Sequence, residues 1–196
     1  MLETLEQQSS FLNMHFLKST FFIILLAITS VSCTKETESI TASAKIYSLI
    51  DGEQMGTFFA IYKNGKVSAN IRFEGIYAGR IQAVHLHDGT CESIEGHWNQ
   101  GSEESFCEKL SLGVPWEKPY AGDFGNITIG EDGFGDMTVL TDLWTIGTDD
   151  ERDIIDKVII IHSQPSDFMA ECDPNHIPDH THNSQKMGCG VITISK

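Results

Sequence analysis

The chain has 196 residues and a formal net charge of −15, from 28 acidic and 13 basic residues. That balance argues against nucleic acid as a partner, because a polyanion is held by a basic face. The length suits one domain of ordinary size plus an export segment.

The first segment carries the export signal. Phe21 to Ile28 is an apolar run preceded by Lys18 and followed by small residues that end at Cys33, the layout of a secretory signal over residues 1–32. It is too short to span a bilayer comfortably. Glu3 and Glu6 do not suit such a leader, whereas a start at Met14 would give a compact one. Thr29-Ser30-Val31-Ser32-Cys33 resembles a relaxed lipoprotein cleavage box, although Ser30 stands where leucine is usual. Cys33 is then the lipid-bearing residue; a plain signal cut near Ser32 would instead leave it as a thiol. Residues 33–42 form the lipidated cysteine and a polar tether, and 43–196 the folded domain. The expected location is outside the cytoplasm, as a periplasmic or outer-membrane or cell-surface lipoprotein held on the membrane by its lipid.

Within the domain, short runs rich in Val, Ile, Thr and Phe alternate with Gly, Asp and Asn turns, which predicts an all-β fold. Residues 43–50, 56–62, 66–73 and 80–87 read as a meander of strands, with Asp51-Gly52 and Asn64-Gly65 as turns. A polar loop over 88–123 follows, then strands at 125–129, 135–140 and 157–162. A second long loop, 163–188, precedes a closing strand at 189–194. Two loops of this length in a compact β domain are usually functional.

The chemistry concentrates on four histidines. His85 and His87 are one residue apart on a strand, so they share a face while Val84 and Leu86 take the other. His97 follows after a short loop containing Cys91, and His162 ends the run Val158-Ile159-Ile160-Ile161. A single histidine at a strand end is ordinarily a surface or core residue; four together suit copper, zinc, iron or nickel. Beyond Cys33, an even set of Cys91, Cys107, Cys172 and Cys189 allows three disulfide pairings in an oxidising compartment. A Cys91–Cys189 bridge would pin a metal-site loop to the sheet and leave Cys107 and Cys172 to join the long loops. His176, His180 and His182, with Asp179, sit in the second loop, either as a flexible polar tract or as a further metal site.

Five motifs resemble the copper/zinc superoxide dismutases in order and spacing, across about residues 43–196. They are His85-Leu86-His87, Gly96-His97-Trp98-Asn99, Gly122-Asp123-Phe124-Gly125-Asn126, Ile160-Ile161-His162 and Gly188-Cys189-Gly190-Val191-Ile192. The resemblance implies a Greek-key β-sandwich or flattened eight-stranded barrel with two long functional loops. It implies His85, His87, His97 and His162 as copper ligands, and Cys91–Cys189 as the disulfide. It also gives His97 the catalytic role of taking a proton and passing it to product, with superoxide as substrate. In that family a zinc ion lies beside the copper; here His97 and Asp123 match two of its ligands, but Leu112 and Tyr120 occupy the other two positions. Neither replaces an imidazole well, so zinc is expected to be lost or much weakened unless Glu103, Glu104 or Glu108 substitutes. Lys186 stands where the family has an anion-guiding arginine, keeping the charge and losing the planar fork. The expected activity is copper-dependent disproportionation of superoxide outside the cytoplasm. The alternatives are a copper-buffering or copper-delivering lipoprotein on the same scaffold, or a metal-free interaction domain. No motif marks a dimer surface, so a homodimer is compatible with the sequence without being required by it.

Overall fold

The computed structural model describes residues 38–74, 78–101, 120–166 and 184–195. The expected leader with Cys33, the segment holding Glu103, Glu104, Cys107, Glu108 and Leu112, and the segment holding Cys172, His176, His180 and His182 lie outside the described residues.

A period of two builds the first three strands. In β1 (Ile40–Ser48), β2 (Gln54–Lys63) and β3 (Lys66–Phe73), one face is buried: Ala42, Ala44, Ile46, Phe58, Ala60, Val67, Ala69, Ile71 and Phe73. The β2–β3 hairpin closes at Asn64-Gly65, both with positive φ (54° and 76°), the conformation that a tight hairpin demands and this pair tolerates. β1 begins at Ile40, ahead of the expected start at residue 43, because Tyr62 to Ala60 of β2 extend the ladder to that point.

The remaining strands are β4 (Ile81–Gly89), β5 (Ile94–His97), β6 (Asp123–Thr128), β7 (Gly135–Thr141), β8 (Val158–His162), β9 (Lys186–Val191) and β10 (Thr193–Ile194). Pairing is antiparallel between these strands, in the order β5-β4-β8-β9-β1-β2-β3-β7, with β6 also on β4 and β10 also on β1. After the β1–β2–β3 meander the chain crosses to β4 on the far side of the curled sheet, and β7 later returns to β3. This is the expected Greek-key β fold.

Ten strands are described where the sequence predicts eight. β5 lies inside the expected 88–123 loop, held to β4 by the pairs His87↔His97 and Gly89↔Ile94. The closing strand is split at Ile192, which is fully buried and donates its N–H to Lys157 O (3.0 Å), so the chain leaves β8 and resumes on β1.

β4 and β8 divide the interior. Val84 and Leu86 join Ile159, Ile161, Phe124 and Trp144 in the main core. His85 and His87 lie opposite Ile160 and Val158 in register, so they share the other face, where Val158, Ile160 and Cys189 form a second buried cluster backed by Cys91 and Ile94. All five residues of β8 are therefore buried.

Candidate metal centre

The parity of β4 aims His85 and His87 away from the main core, and the ends of β5 and β8 bring His97 and His162 to them. One ligand nitrogen from each of the four rings lies within 4.8 Å of the others. Among the described residues this is the group of three or more metal-binding side chains that the fold assembles. His85, His87 and His162 are buried and His97 is half-buried.

Register shifts mark the places where the strands turn these rings inward. They fall between Val84 and His85 against β6, between His87 and Gly89 against β5, and between Ile161 and His162 against β9. Such irregularities re-aim side chains beside functional sites. Gly122 completes the arrangement. Its N–H donates to Trp98 O (3.0 Å), Leu86 N–H donates to Gly122 O (2.7 Å), and Trp98 N–H donates to Leu86 O (2.9 Å). A Cβ at Gly122 would meet Leu86 O, Leu86 Cβ and Trp98 O at 2.8–2.9 Å, so only glycine lets the chain pass close enough to set Asp123 beside His97.

Each ring is oriented through one nitrogen. His87 Nδ1–H donates to Glu95 O (2.9 Å), and His162 Nδ1 lies 3.2 Å from Ser184 O and 3.1 Å from Ser184 Oγ. His97 Nδ1–H donates to Asp123 Oδ1 (3.0 Å), and His85 Nε2 bonds Ser166 Oγ (2.9 Å). Three rings thus keep Nε2 for the site, and His162 Nε2 comes within 3.4 Å of His87 Nε2. Two nitrogens this close cannot both carry a proton toward each other, and neutral imidazoles whose outer nitrogens are tied are the form that ligates a metal. Burial, then the neighbouring His97, lower the His87 pKa to about 3, so this ring stays neutral at working pH. The hydrogen bond to the Glu95 carbonyl works the other way, and His162 and Lys186 add smaller lowering effects.

The side of His97 away from the cluster carries a carboxylate. Asp123 is the carboxylate there, and both of its oxygens are engaged: Oδ1 by His97 and Oδ2 by the Tyr120 N–H (2.9 Å). The Tyr120 ring stands edge-on to His97 with centroids 5.9 Å apart. Among the described residues, His97 and Asp123 fall short of the four N, S or O ligands that a structural zinc requires, and Glu103, Glu104 and Glu108 lie outside those residues.

Two further features anchor the site. Cys91, in the β4–β5 connection, forms a disulfide with Cys189 of β9 (Cα–Cα 5.7 Å), the pairing implied by the family resemblance. Lys157 Nζ donates to Asp88 Oδ1 (2.6 Å) and lies 5.8 Å from the centroid of Trp98, tying the start of β8 to the end of β4. Lys186, half-buried, sits across from His162 at the mouth of β9.

The sequence motifs locate all four histidines, Asp123 and Lys186. They miss the acceptors Glu95 O, on the short strand β5, and Ser184, and the hydroxyl of Ser166, which reach the rings through tertiary placement that no spacing rule encodes. They also miss Gln82, a fully buried amide whose Nε2 donates to His162 O (3.0 Å); its one signal is an amide on the strand that carries the histidine pair.

The family model for copper/zinc superoxide dismutase (SODC) matches residues 54–192. Among solved structures, a SOD-like protein from Bacillus subtilis is similar at 19% identity and a TM-score of 0.57, covering 76% of this chain and 96% of that one. A single mutant of the same protein is similar at 19% identity and a TM-score of 0.55, and a double mutant at 21% and 0.57, each covering 76% of this chain and 95% of the other. The family match spans more than half of the sequence, and the chain belongs to the copper/zinc superoxide dismutase family.

Proposed function

We propose that this family member is a superoxide dismutase that works with copper alone, converting two superoxide ions and two protons into dioxygen and hydrogen peroxide. The observation that carries this reading is the set of four mutually close imidazoles, each oriented by its outer nitrogen and retained together with the disulfide. His85, His87, His97 and His162 would hold the metal. A copper ion held there would supply one-electron redox chemistry, with superoxide serving as both reductant and oxidant.

The residues of the chain supply the rest. His97 Nε2 is the nitrogen that can hold a proton for the peroxide, while Asp123 keeps its Nδ1–H in place, the task that a zinc ion performs elsewhere in the family. Lys186 provides a cation beside the cluster in a chain whose overall field repels anions, and so draws superoxide to the mouth. Lysine in place of arginine lowers the rate without removing the activity. The leader ending at Cys33 complements this reading with an exported, lipid-anchored protein that meets superoxide outside the cytoplasm.

The test is superoxide turnover by the full chain carrying one equivalent of copper and no zinc, followed by pulse radiolysis. A rate constant approaching about 10⁸ M⁻¹s⁻¹ supports the enzyme. Turnover no faster than that of aqueous copper, with copper still bound, assigns the protein to copper buffering or delivery instead.

A further inference from the structure

The outer face of the β1–β2–β3–β7 half changes character along its length. Register sets its side chains in rows across the strands. The row farthest from the start of β1 is Lys45, Thr57, Arg72 and Asp136; the row nearest to it is Thr41, Ile61, Ser68 and Leu140, with Phe59 between the two. The far part is polar and tied to itself. Asn70 Nδ2 donates to Asp136 Oδ2 (2.8 Å) and Thr138 Oγ1 (3.2 Å), and Arg72 pairs with Glu74 (3.7 Å). The near part is apolar: Phe59 and Ile61 share the face of β2, Leu140 lies in the Ile61 row, and they are 46%, 37% and 68% exposed. Ser43 opposite Phe59, and Ser68 between Ile61 and Leu140, are small enough to leave these three side chains standing above the sheet. An exposed apolar patch rimmed by polar residues marks a contact surface.

We propose that this patch rests on the bilayer that carries the chain, holding the domain with its metal centre turned to solvent. The proposal rests on the reading of Cys33 as a lipid-bearing residue. Two observations choose a lipid surface as the occupant. The domain begins at this end: the seven residues from Cys33 to Ile40 reach at most about 25 Å when fully extended, which keeps the near row close to the headgroups. The charges also suit it. In a chain of net charge −15, the β2–β3 hairpin carries exposed Lys63 and Lys66 at this end, and Glu38 and Asp142 beside them only balance that pair. This end therefore does not share the overall repulsion of the chain from an anionic surface. Lysine stems lie along apolar surface while their heads reach lipid phosphates. The lipid supplies the affinity and the patch sets the orientation. The main core separates the patch from the histidines: Ala60 and Ala69 enter it from β2 and β3, and Val84 and Leu86 from β4, while His85 and His87 take the opposite face of β4. The wall that carries the metal centre is thus the one the bilayer leaves uncovered.

The test places the full chain on vesicles of phosphatidylethanolamine and phosphatidylglycerol. Quenching of tryptophan fluorescence by doxyl-labelled lipid, taken as the increment over the wild type, reads contact. Leu140→Trp on the patch is expected to be quenched, and Glu92→Trp, at an exposed position of the β4–β5 connection, is not. Lys63 and Lys66 should react with a water-soluble acylating reagent about fivefold more slowly on vesicles than in solution, with exposed Lys45 unchanged. Phe59→Ser combined with Leu140→Ser should abolish that protection. Equal quenching at the two tryptophan positions, or lysine rates that do not change while the chain floats with the vesicles, overturns the proposal. The mass of the Cys33 peptide reads the anchor by itself. An unmodified Cys33 sinks the lipoprotein reading; quenching of Leu140→Trp by added vesicles then still supports the patch as a lipid contact, and its absence overturns it. None of these readouts uses superoxide, so the proposed enzyme and the proposed orientation fail separately.

Discussion

The two halves of the sheet are built on different terms. The β1–β2–β3–β7 half is a set of long ladders with one register shift, between Ile46 and Tyr47 against β2: β2 meets β3 in continuous register from Gly56↔Phe73 to Lys63↔Lys66, and β3 meets β7 likewise from Val67↔Thr141 to Phe73↔Gly135. The half centred on β4 pairs in short runs, broken beside His85, His87 and His162. Regular alternation needs only the right residue types in order, and it supplies apolar burial. The irregular half turns polar rings inward, which alternation alone would not do, and it is held by a covalent bridge, close glycine passages and side-chain hydrogen bonds. Stability and metal chemistry are thus largely assigned to different walls of one fold.

The largest effect that would sharpen this contrast is loss of the bridge. Cys91 and Cys189 are separated by 98 residues. Chain-entropy arguments give a closed loop of that length about 4.7 kcal/mol of stabilisation. Replacing both cysteines by serine is expected to lower stability by several kcal/mol in urea unfolding. It should also weaken copper binding, because the bridged connection leads directly to Glu95 and His97. In the regular half, Ile71→Ala removes a fully buried side chain from β3. It is expected to cost about 3 kcal/mol, with copper affinity of the folded protein unchanged. A drop in affinity for Ile71→Ala comparable to that of the cysteine variant would break the division between the walls.

The regular half was also the more legible one. Alternation and turn residues in Ser43 to Phe73 are local signals, and they give strands, hairpin and inward face together. The histidine pair was readable for the same reason, since a period of two puts His85 and His87 on one face. The four-residue β5 was not, because it owes its existence to pairing with the far end of β4 and to the bridge at Cys91 rather than to its own sequence. Asp123 was legible through the motif around it, and its direct bond to His97 follows from the glycine passage at Gly122. Ser166 and Ser184 carry no signal at all. A serine near a strand end is ordinary, and what makes these two matter is where the feet of a loop land.

Acid separates the walls by pH window, and the smallest predicted effect per step is the most diagnostic. Among the described residues every histidine belongs to the metal centre. His87 has its pKa lowered to about 3 in the folded protein, against 6.5 in the unfolded chain, with burial the leading cause. Below pH 6.5 the unfolded chain therefore binds a proton that the folded chain refuses, so stability falls with pH until about pH 3, below which both states are protonated. The loss is up to about 1.4 kcal/mol per pH unit for one such group. The shifted carboxylates elsewhere behave differently. Asp51, in the β1–β2 turn, is lowered chiefly by the Glu53 backbone N–H, and Asp150, before β8, by that of Arg152. Groups of this kind hold their contribution above the ordinary carboxylate range and lose it only as pH drops through their own lowered values. Urea unfolding of the metal-free chain between pH 7 and pH 4.5 should then report the metal wall alone, with a slope that His87→Gln reduces by about one proton. An identical slope in that variant would mean that the acid sensitivity lies outside the histidine cluster, and that the two walls titrate together.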